Sequence, residues 1–500
     1  MLIRPDQNDL RVIGLNTGRV LLGVGLAMLI PALLGFLWGE PDAATGLVIG
    51  ACIAMLLGLA AEWKLHTRRT ANWQHGMVVA ALSWLVGPFV GAIPLFLSGH
   101  YDSFLDSYFD AMSGFATAGL SVMADLDHVA DCVNLWRHMT HFLGGQGLVL
   151  LVLSLFASGG GSVGMYVGEA REDKILPNVV RTARFIWRVS LVYFLAGTLA
   201  LWISLTTAGL TVGRALFHAT NLFLAAFDTG GFSPNSASIQ IYHSATVELV
   251  LGVIMVAGCL SFALHHRLWN GRPGELLRDS EVRSLAFTTM GLFVMLALGL
   301  AATGTYDTAE ELVRRGLFQT VSAHSGTGFA NVPGRMLLTD WGEIAPAALV
   351  FAMGLGGMAG STAGGIKAIR ITLVTKSIKE QIHRMLLPPA AAGVVTYRSG
   401  RRKVLSAQVM RSATTILLLY LALYLVGALA GLYYGYEFDE AMFESTSAAA
   451  AVGLSIGITS PAMEPGLMVV YILQMWIGRL EFIAVLVLTG FAWSTLRGRT

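Results

Sequence analysis

Three stretches of this chain read FDAMSGFATAG from Phe109 to Gly119, FQTVSAHSGTG from Phe318 to Gly328 and FESTSAAAAVG from Phe443 to Gly453. Each runs ten positions from Phe to Gly and carries a Ser at its fifth residue: Ser113, Ser322 and Ser447. A fourth, FHATNLFLAAFDTGG from Phe217 to Gly231, is four residues longer, about one helical turn. All lie between apolar runs near the roughly 20 residues that a bilayer-spanning helix needs. A helix this short cannot cross about 30 Å at 1.5 Å per residue, so each copy must enter and turn back. Non-helical backbone finds no hydrogen-bond partners in lipid and is tolerated only where protein encloses it or water reaches it. The repeating unit after residue 70 is therefore helix, short re-entrant segment, Gly-containing stretch, helix, four times over.

Composition agrees: 55% of the 500 residues are hydrophobic, 13% are charged and the mean hydropathy is +0.64, against about 25% charged for a soluble domain. The chain is expected to be an all-α integral membrane protein of four pseudo-repeated helix–pore-loop–helix units around a central pore, preceded by two extra N-terminal transmembrane helices. Spans are expected at 17–38, 44–63, 76–98, 135–158, 185–208, 245–266, 284–303, 343–376, 406–433 and 466–494. The units divide as 1–70 for the N-terminal pair, then 71–184, 185–283, 284–405 and 406–500. Cys52, Cys132 and Cys259 are scattered and suggest neither a disulfide framework nor a thiolate metal site. The N-terminal apolar run lacks a cleavage pattern and reads as a retained helix.

Lys and Arg in short loops mark the cytoplasmic side. One set of loops holds Arg4, Arg11, Lys64, Arg68, Arg69, Arg171, Lys174, Arg181, Arg184, Arg267, Arg272, Arg278, Arg283, Lys379, Arg384, Arg398, Arg401, Arg402 and Lys403. The other is richer in acid: Glu40, Asp42, Asp102, Asp106, Asp110, Asp125, Asp127, Asp131, Glu437, Asp439, Glu440 and Glu444. Arg214, Arg314, Arg315 and Arg335 oppose this bias without reversing it. Both termini are then cytoplasmic. Pro388, Pro389 and Gly393 argue against one continuous helix across the basic linker 377–405.

Four re-entrant loops around one axis would aim four sets of carbonyl oxygens inward, which is how a dehydrating cation is held. One copy alone would equally suit a small-residue helix-packing face, a reading that four copies in register weaken. A second motif, FAMGLGGMAGSTAGGIKAIRI at 351–371, packs six glycines between Gly354 and Gly365 into an apolar run. Gly354, Gly356 and Ala359 fit G-x-G-x-x-A, but no βαβ unit surrounds them. Gly356, Gly360 and Gly364 suit close helix packing, whereas the Gly-Gly pairs with Ser361-Thr362 favour irregular backbone. In MWIGRLEF, residues 475–482, Arg479 inside an apolar span is a functional candidate, or else snorkels or pairs with an acid such as Glu481. His138 and His141 share a helix face without a third ligand, so zinc is disfavoured. Asp228 either adds negative field at a pore mouth or binds a backbone N–H.

In these residues the chain resembles the TrkH/KtrB potassium transporters, related to the plant HKT proteins, over roughly residues 70–495, and FDTGGFSPNSASI resembles the second filter of the TrkH branch. The resemblance implies filter glycines at Gly119, Gly231, Gly328 and Gly453. It also implies potassium ligands in the carbonyls of Thr117, Ala118, Thr229, Gly230, Gly326, Thr327, Ala451 and Val452. Four glycines imply potassium over sodium; ATAGLS and AAAAVGLS depart from the commoner pattern but change no carbonyl. The resemblance further implies an intramembrane gate at 354–365, comprising Gly354, Gly356, Gly357, Gly360, Ser361, Thr362, Gly364 and Gly365, with Arg479 projecting towards it. By the same resemblance the chain is a homodimer in lipid of the cytoplasmic (inner) membrane. It is regulated by a cytosolic nucleotide-binding subunit of the TrkA type, binds no nucleotide or nucleic acid itself, and is not an enzyme. Potassium uptake, by channel or symport, is the leading expectation. A secondary transporter of a small solute and a cation channel with poor potassium/sodium discrimination are the alternatives.

Overall fold

Small residues and caps set where the first helices begin and how closely they pack. A computed structural model describes residues 5–150, 162–170, 178–386 and 395–497. Helices Gln7–Trp38 and Pro41–Lys64 form an antiparallel pair, the first capped by the Asp6 side chain and the second opened by Pro41 at its first turn. A Cβ built on Gly58 would lie 2.6 Å from the Gly18 carbonyl oxygen, so the two backbones touch. Arg19 grips Glu62 with two hydrogen bonds of 3.0 and 2.9 Å.

The four units follow. Their outer helices are Trp73–Leu97, Val179–Thr207, Ser280–Thr303 and Ala407–Tyr433, each long and apolar enough to cross a membrane. The short second helices are Phe104–Ala116, Val212–Phe227, Ala309–Ser325 and Phe438–Ala450. Their third helices are Asp131–Gln146, Ala245–Cys259, Ile344–Gly354 and Pro465–Arg479. Against the ten spans expected from hydropathy, six helices among the described residues qualify, or eight if two bent pairs count as spans. The run 245–266 turns by 102° and 466–494 by 110°. The run 343–376 is interrupted after Gly354 and resumes only as the amphipathic helix Ala368–Leu386. In 135–158 the helix stops at Gln146, and residues 151–158 lie outside the described residues, as do Arg4, Arg171, Lys174, Pro388, Pro389 and Gly393.

Close approach to the short helices fixes where the third helices end. A Cβ on Gly144, Gly258 or Gly478 would lie 1.8, 2.1 and 1.9 Å from the carbonyl oxygens of Phe115, Phe227 and Ala449 respectively. Just beyond, carbonyls released from the helix ladder find other partners. Cys259 O accepts from Met358 N at 3.0 Å, and Gly360 O accepts from Phe262 N at 3.2 Å, so the 355–367 segment fills the first break. In the fourth unit Tyr420 donates to Gly478 O at 2.7 Å, and Glu481 and Phe482 both adopt left-handed backbone at φ 51° and 72°. Such non-glycine strain persists only where surroundings over-determine it. The linker's described end forms a hairpin, Thr396–Ser399 paired with Arg401–Val404, docked through Arg398 on Glu275 at 2.7 Å.

Gly258→Val should lower the thermal unfolding midpoint of the detergent-solubilised protein, since over-packing against fixed backbone costs about 1–3 kcal/mol. Gly252→Ala on the same helix, where an added Cβ meets nothing within 4 Å, should leave the midpoint unchanged or raise it.

Candidate functional site

All four short helices stop by the same local device. A residue just past each helix takes left-handed backbone: Thr117 (φ 56°), Thr229 (51°), Gly326 (79°) and Ala451 (55°). The next amide reaches back to the carbonyl five residues earlier: Ala118 N to Ser113 O and Gly230 N to Ala225 O at 2.8 Å, Thr327 N to Ser322 O at 3.0 Å, Val452 N to Ser447 O at 2.9 Å. This is the Schellman closure, which normally favours Gly at the left-handed site; three of the four sites here bear a side chain. Two residues on, Gly119, Gly231, Gly328 and Gly453 are again left-handed, at 73°, 79°, 82° and 101°, while the residue between is not. Each loop thus has one backbone signature.

The second unit corrects an alignment made on phenylalanine. Thr229 and Gly231 hold the places of Thr117 and Gly119, so nothing is inserted before the glycine. Asn221 stands where the other units have Phe109, Phe318 and Phe443, and Phe217 lies four residues, one turn, upstream on the same helix face.

The loops close into a ring, head to tail. A Cβ on Gly119 would lie 2.3 Å from Gly230 O; on Gly231, 2.0 Å from Thr327 O; on Gly328, 1.9 Å from Val452 O; and on Gly453, 2.5 Å from Ala118 O. Every ring glycine therefore abuts the carbonyl that precedes the next unit's glycine, and the fourth unit returns to the first. No side chain fits at any of the four positions without moving a neighbouring backbone. His141, expected only as a disfavoured metal ligand, joins two loops: its Nδ1 lies 2.7 Å from Gly114 O and its Nε2 accepts from Phe232 N at 3.2 Å. That pairing fixes a neutral ring with Nδ1–H donating, and the ring occupies the space a Cβ on Gly230 would need. Among the described residues no group of three His, Cys, Asp or Glu is arranged for a metal ion.

Residues 355–367 lie against the C-terminal ends of the short helices, next to the ring. The segment is irregular rather than a packed helix: Gly356 N donates to Ile366 O at 2.9 Å and Ile366 N to Gly354 O at 3.1 Å. Ala368 N bonds Gly357 O at 3.0 Å, Ser361 Oγ bonds Met358 O at 2.7 Å, and Gly360 and Gly365 are left-handed. Contact with the second loop runs through Thr362, whose Oγ1 lies 3.0 Å from Phe227 O and 3.3 Å from Thr229 Oγ1. The fourth is met at Gly364, where a Cβ would lie 2.2 Å from Ala450 O, and the third at Gly326, whose Cβ would lie 3.7 Å from Gly364 N.

Arg479 supplies the link to the first loop. Its guanidinium donates to Thr117 Oγ1 at 3.0 Å, Thr362 O at 2.5 Å and Gly144 O at 2.8 Å, and sits 5.4 Å from the centre of the Trp84 ring. The charge is thus turned towards the ring rather than towards an aqueous interface. Glu481, two residues on, is buried with Arg370 as a direct partner and Lys367 at 3.8 Å. Lys367 also donates to Ala363 O. Among these four side chains three are cationic, which makes the surroundings of the segment electropositive. Asp228 is buried at the end of the second short helix and accepts from Gln146 Nε2 at 2.6 Å.

A family profile described as "TrkH: Cation transport protein" matches residues 45–492. The chain is 29% identical to the Trk system potassium uptake protein TrkH of Halomonas elongata, covering 96% of this chain and 98% of that one. It is 27% identical to the protein of that name from Escherichia coli K12, covering 96% and 97%. It is also similar to the crystal structure of the potassium transporter TrkH from Vibrio parahaemolyticus, with a TM-score of 0.83, 25% identity, and 96% and 98% of the two chains covered.

Glu481→Gln should destabilise the protein by about 3–5 kcal/mol, the usual cost of removing one member of a buried ion pair. Adding Lys367→Met in that background should recover part of the loss, read as thermal unfolding in detergent.

Proposed function

This chain belongs to the TrkH family of cation transport proteins, and from that premise we propose that it takes up potassium across the cytoplasmic membrane through the ring of four loops. The observation that carries the proposal is the closed head-to-tail contact of Gly119, Gly231, Gly328 and Gly453 with the carbonyls of Gly230, Thr327, Val452 and Ala118. Four backbone turns of one signature, arranged cyclically, supply carbonyl oxygens in place of an ion's hydration water. The ligands are the carbonyls of Thr117, Ala118, Thr229, Gly230, Gly326, Thr327, Ala451 and Val452. Since no side chain takes part, Ala118 and Val452 serve as well as the hydroxyl-bearing residues.

Potassium enters from the side where the short helices begin, loses water at the ring, and is driven inward by the membrane potential at about 2.3 kcal/mol per charge per 100 mV. Residues 355–367 are the gate. They touch all four loops, three directly and the first through Arg479, and a fixed guanidinium opposes a cation electrostatically. Opening requires Thr362 and Arg479 to release Phe227, Thr229, Thr117 and Gly144. The chain works as a homodimer, its termini and basic loops in the cytoplasm, where a nucleotide-binding regulatory subunit of the TrkA type moves the gate. Relatives named for the Trk potassium uptake system support the substrate.

Uptake by potassium-requiring cells tests the assignment. Gly231→Ser and Gly328→Ser should reduce potassium uptake and lower the potassium-to-sodium ratio at normal protein levels; wild-type uptake and selectivity in both would refute the filter. Deleting residues 356–364, or Arg479→Gln, should raise basal flux, and unchanged flux in correctly assembled protein would count against the gate.

A further inference from the structure

Nine residues before and three residues after each ring glycine stand a pair of positions on facing chain segments: Asp110 and Val122, Leu222 and Pro234, Gln319 and Asn331, Glu444 and Ile456. In three units the earlier side chain is a buried acceptor and the later residue a buried N–H donor. Val122 N donates to Asp110 Oδ1 at 2.8 Å, Asn331 N to Gln319 Oε1 at 3.2 Å, and Ile456 N to Glu444 Oε1 at 2.9 Å. The acceptors are 1%, 0% and 0% exposed. The second unit has no acceptor, because Leu222 is apolar, and needs none, because Pro234 has no N–H. Both of these residues are buried as well.

We infer that this pair is a latch that sets the position of each filter loop, and that Asp110, Gln319 and Glu444 are positioning residues for ion selectivity. The inference rests on the ring being the filter. In each loop the ring glycine lies between a rigid helix and an outgoing limb that has no regular secondary structure, so the limb's anchoring fixes where the ring carbonyls sit. The bond is at the same place in three loops, and the second unit's loop lacks donor and acceptor together, which is the chemical condition for burying that position without penalty.

Further contacts strengthen the first and fourth latches. Asp110 Oδ2 accepts from Tyr101 and Ser121 hydroxyls at 2.8 Å each and from Arg137 at 3.3 Å. Glu444 accepts from Ser455 Oγ at 2.5 Å, Gly457 N at 3.3 Å and Thr459 Oγ1 at 2.9 Å. The latch bond itself requires an acceptor rather than a charge, since the Gln319 amide oxygen serves in the third unit.

The test uses the full chain in proteoliposomes, with potassium and sodium flux compared. Glu444→Leu should lower the potassium-to-sodium ratio by roughly fivefold, the scale of one hydrogen bond in an equilibrium, whereas Glu444→Gln should keep it. Pro234→Ala introduces an N–H facing Leu222 and should also lower the ratio; Leu222→Gln with Pro234→Ala, which copies the third unit, should restore it. If Glu444→Leu does not assemble, the second-unit pair decides: a double variant no more selective than Pro234→Ala overturns the latch. So does wild-type selectivity in Glu444→Leu or in Pro234→Ala, or equal loss in Glu444→Gln and Glu444→Leu. Gly328→Ser separates the two levels: if it alters selectivity while the latch variants do not, the latch falls and the filter stands, and if it does not, both fall.

Discussion

Peptide groups that leave regular structure inside a membrane must find partners within the protein, and this requirement organises the chain. Each short helix ends in a Schellman closure that satisfies its last carbonyls and releases three residues in alternating backbone hand. The carbonyl of the middle residue is then met by the preceding unit's glycine. The same demand recurs beneath the ring, where the ends of the broken third helices are taken up by the 355–367 segment. Filter and gate candidates are therefore built from one economy of backbone hydrogen bonds, each loop's termination being completed by another part of the chain.

That shared bonding ties the 355–367 segment to several units at once. Thr362 binds helix-end carbonyls of the second unit, Gly364 lies on Ala450, and Arg479 spans Thr117, Gly144 and Thr362. Lys367, the last residue of the segment, and Arg370, in the first turn of the amphipathic helix that follows, hold Glu481 at the bend of the last unit. The segment is thus joined to Ala368–Leu386, the helix that runs into the basic linker.

Much of the site was legible because it depends on residue types that have few other uses in lipid. Four glycines at fixed distance from a helix, a cluster of six glycines, and an arginine in an apolar run each cost too much to be incidental. The breaks in the third helices of the second and fourth units were not legible, because Leu260-Ser261 and Leu480-Glu481-Phe482 carry neither Gly nor Pro; the partners that stabilise them are distant in sequence. Phe217 misled for a local reason, since a one-turn shift keeps a residue on the same helix face. Asp110 and Glu444 read as acids of an outer loop, yet they are buried behind the ring. The polar residue that follows Phe109, Phe318 and Phe443 was visible in every aligned copy, but only the structure shows that an amide three residues beyond the glycine needs it.

Because all four loops belong to one polypeptide and meet in a fixed cyclic order, a substitution enters the ring in one quadrant only. In a ring of identical subunits the same change would appear four times at once. Thr117, Thr229, Gly326 and Ala451 occupy equivalent places with three residue types among them, and the second unit dispenses with a bond that the others keep. The ring of such a chain can change in quarter steps, three loops keeping their geometry while one is altered.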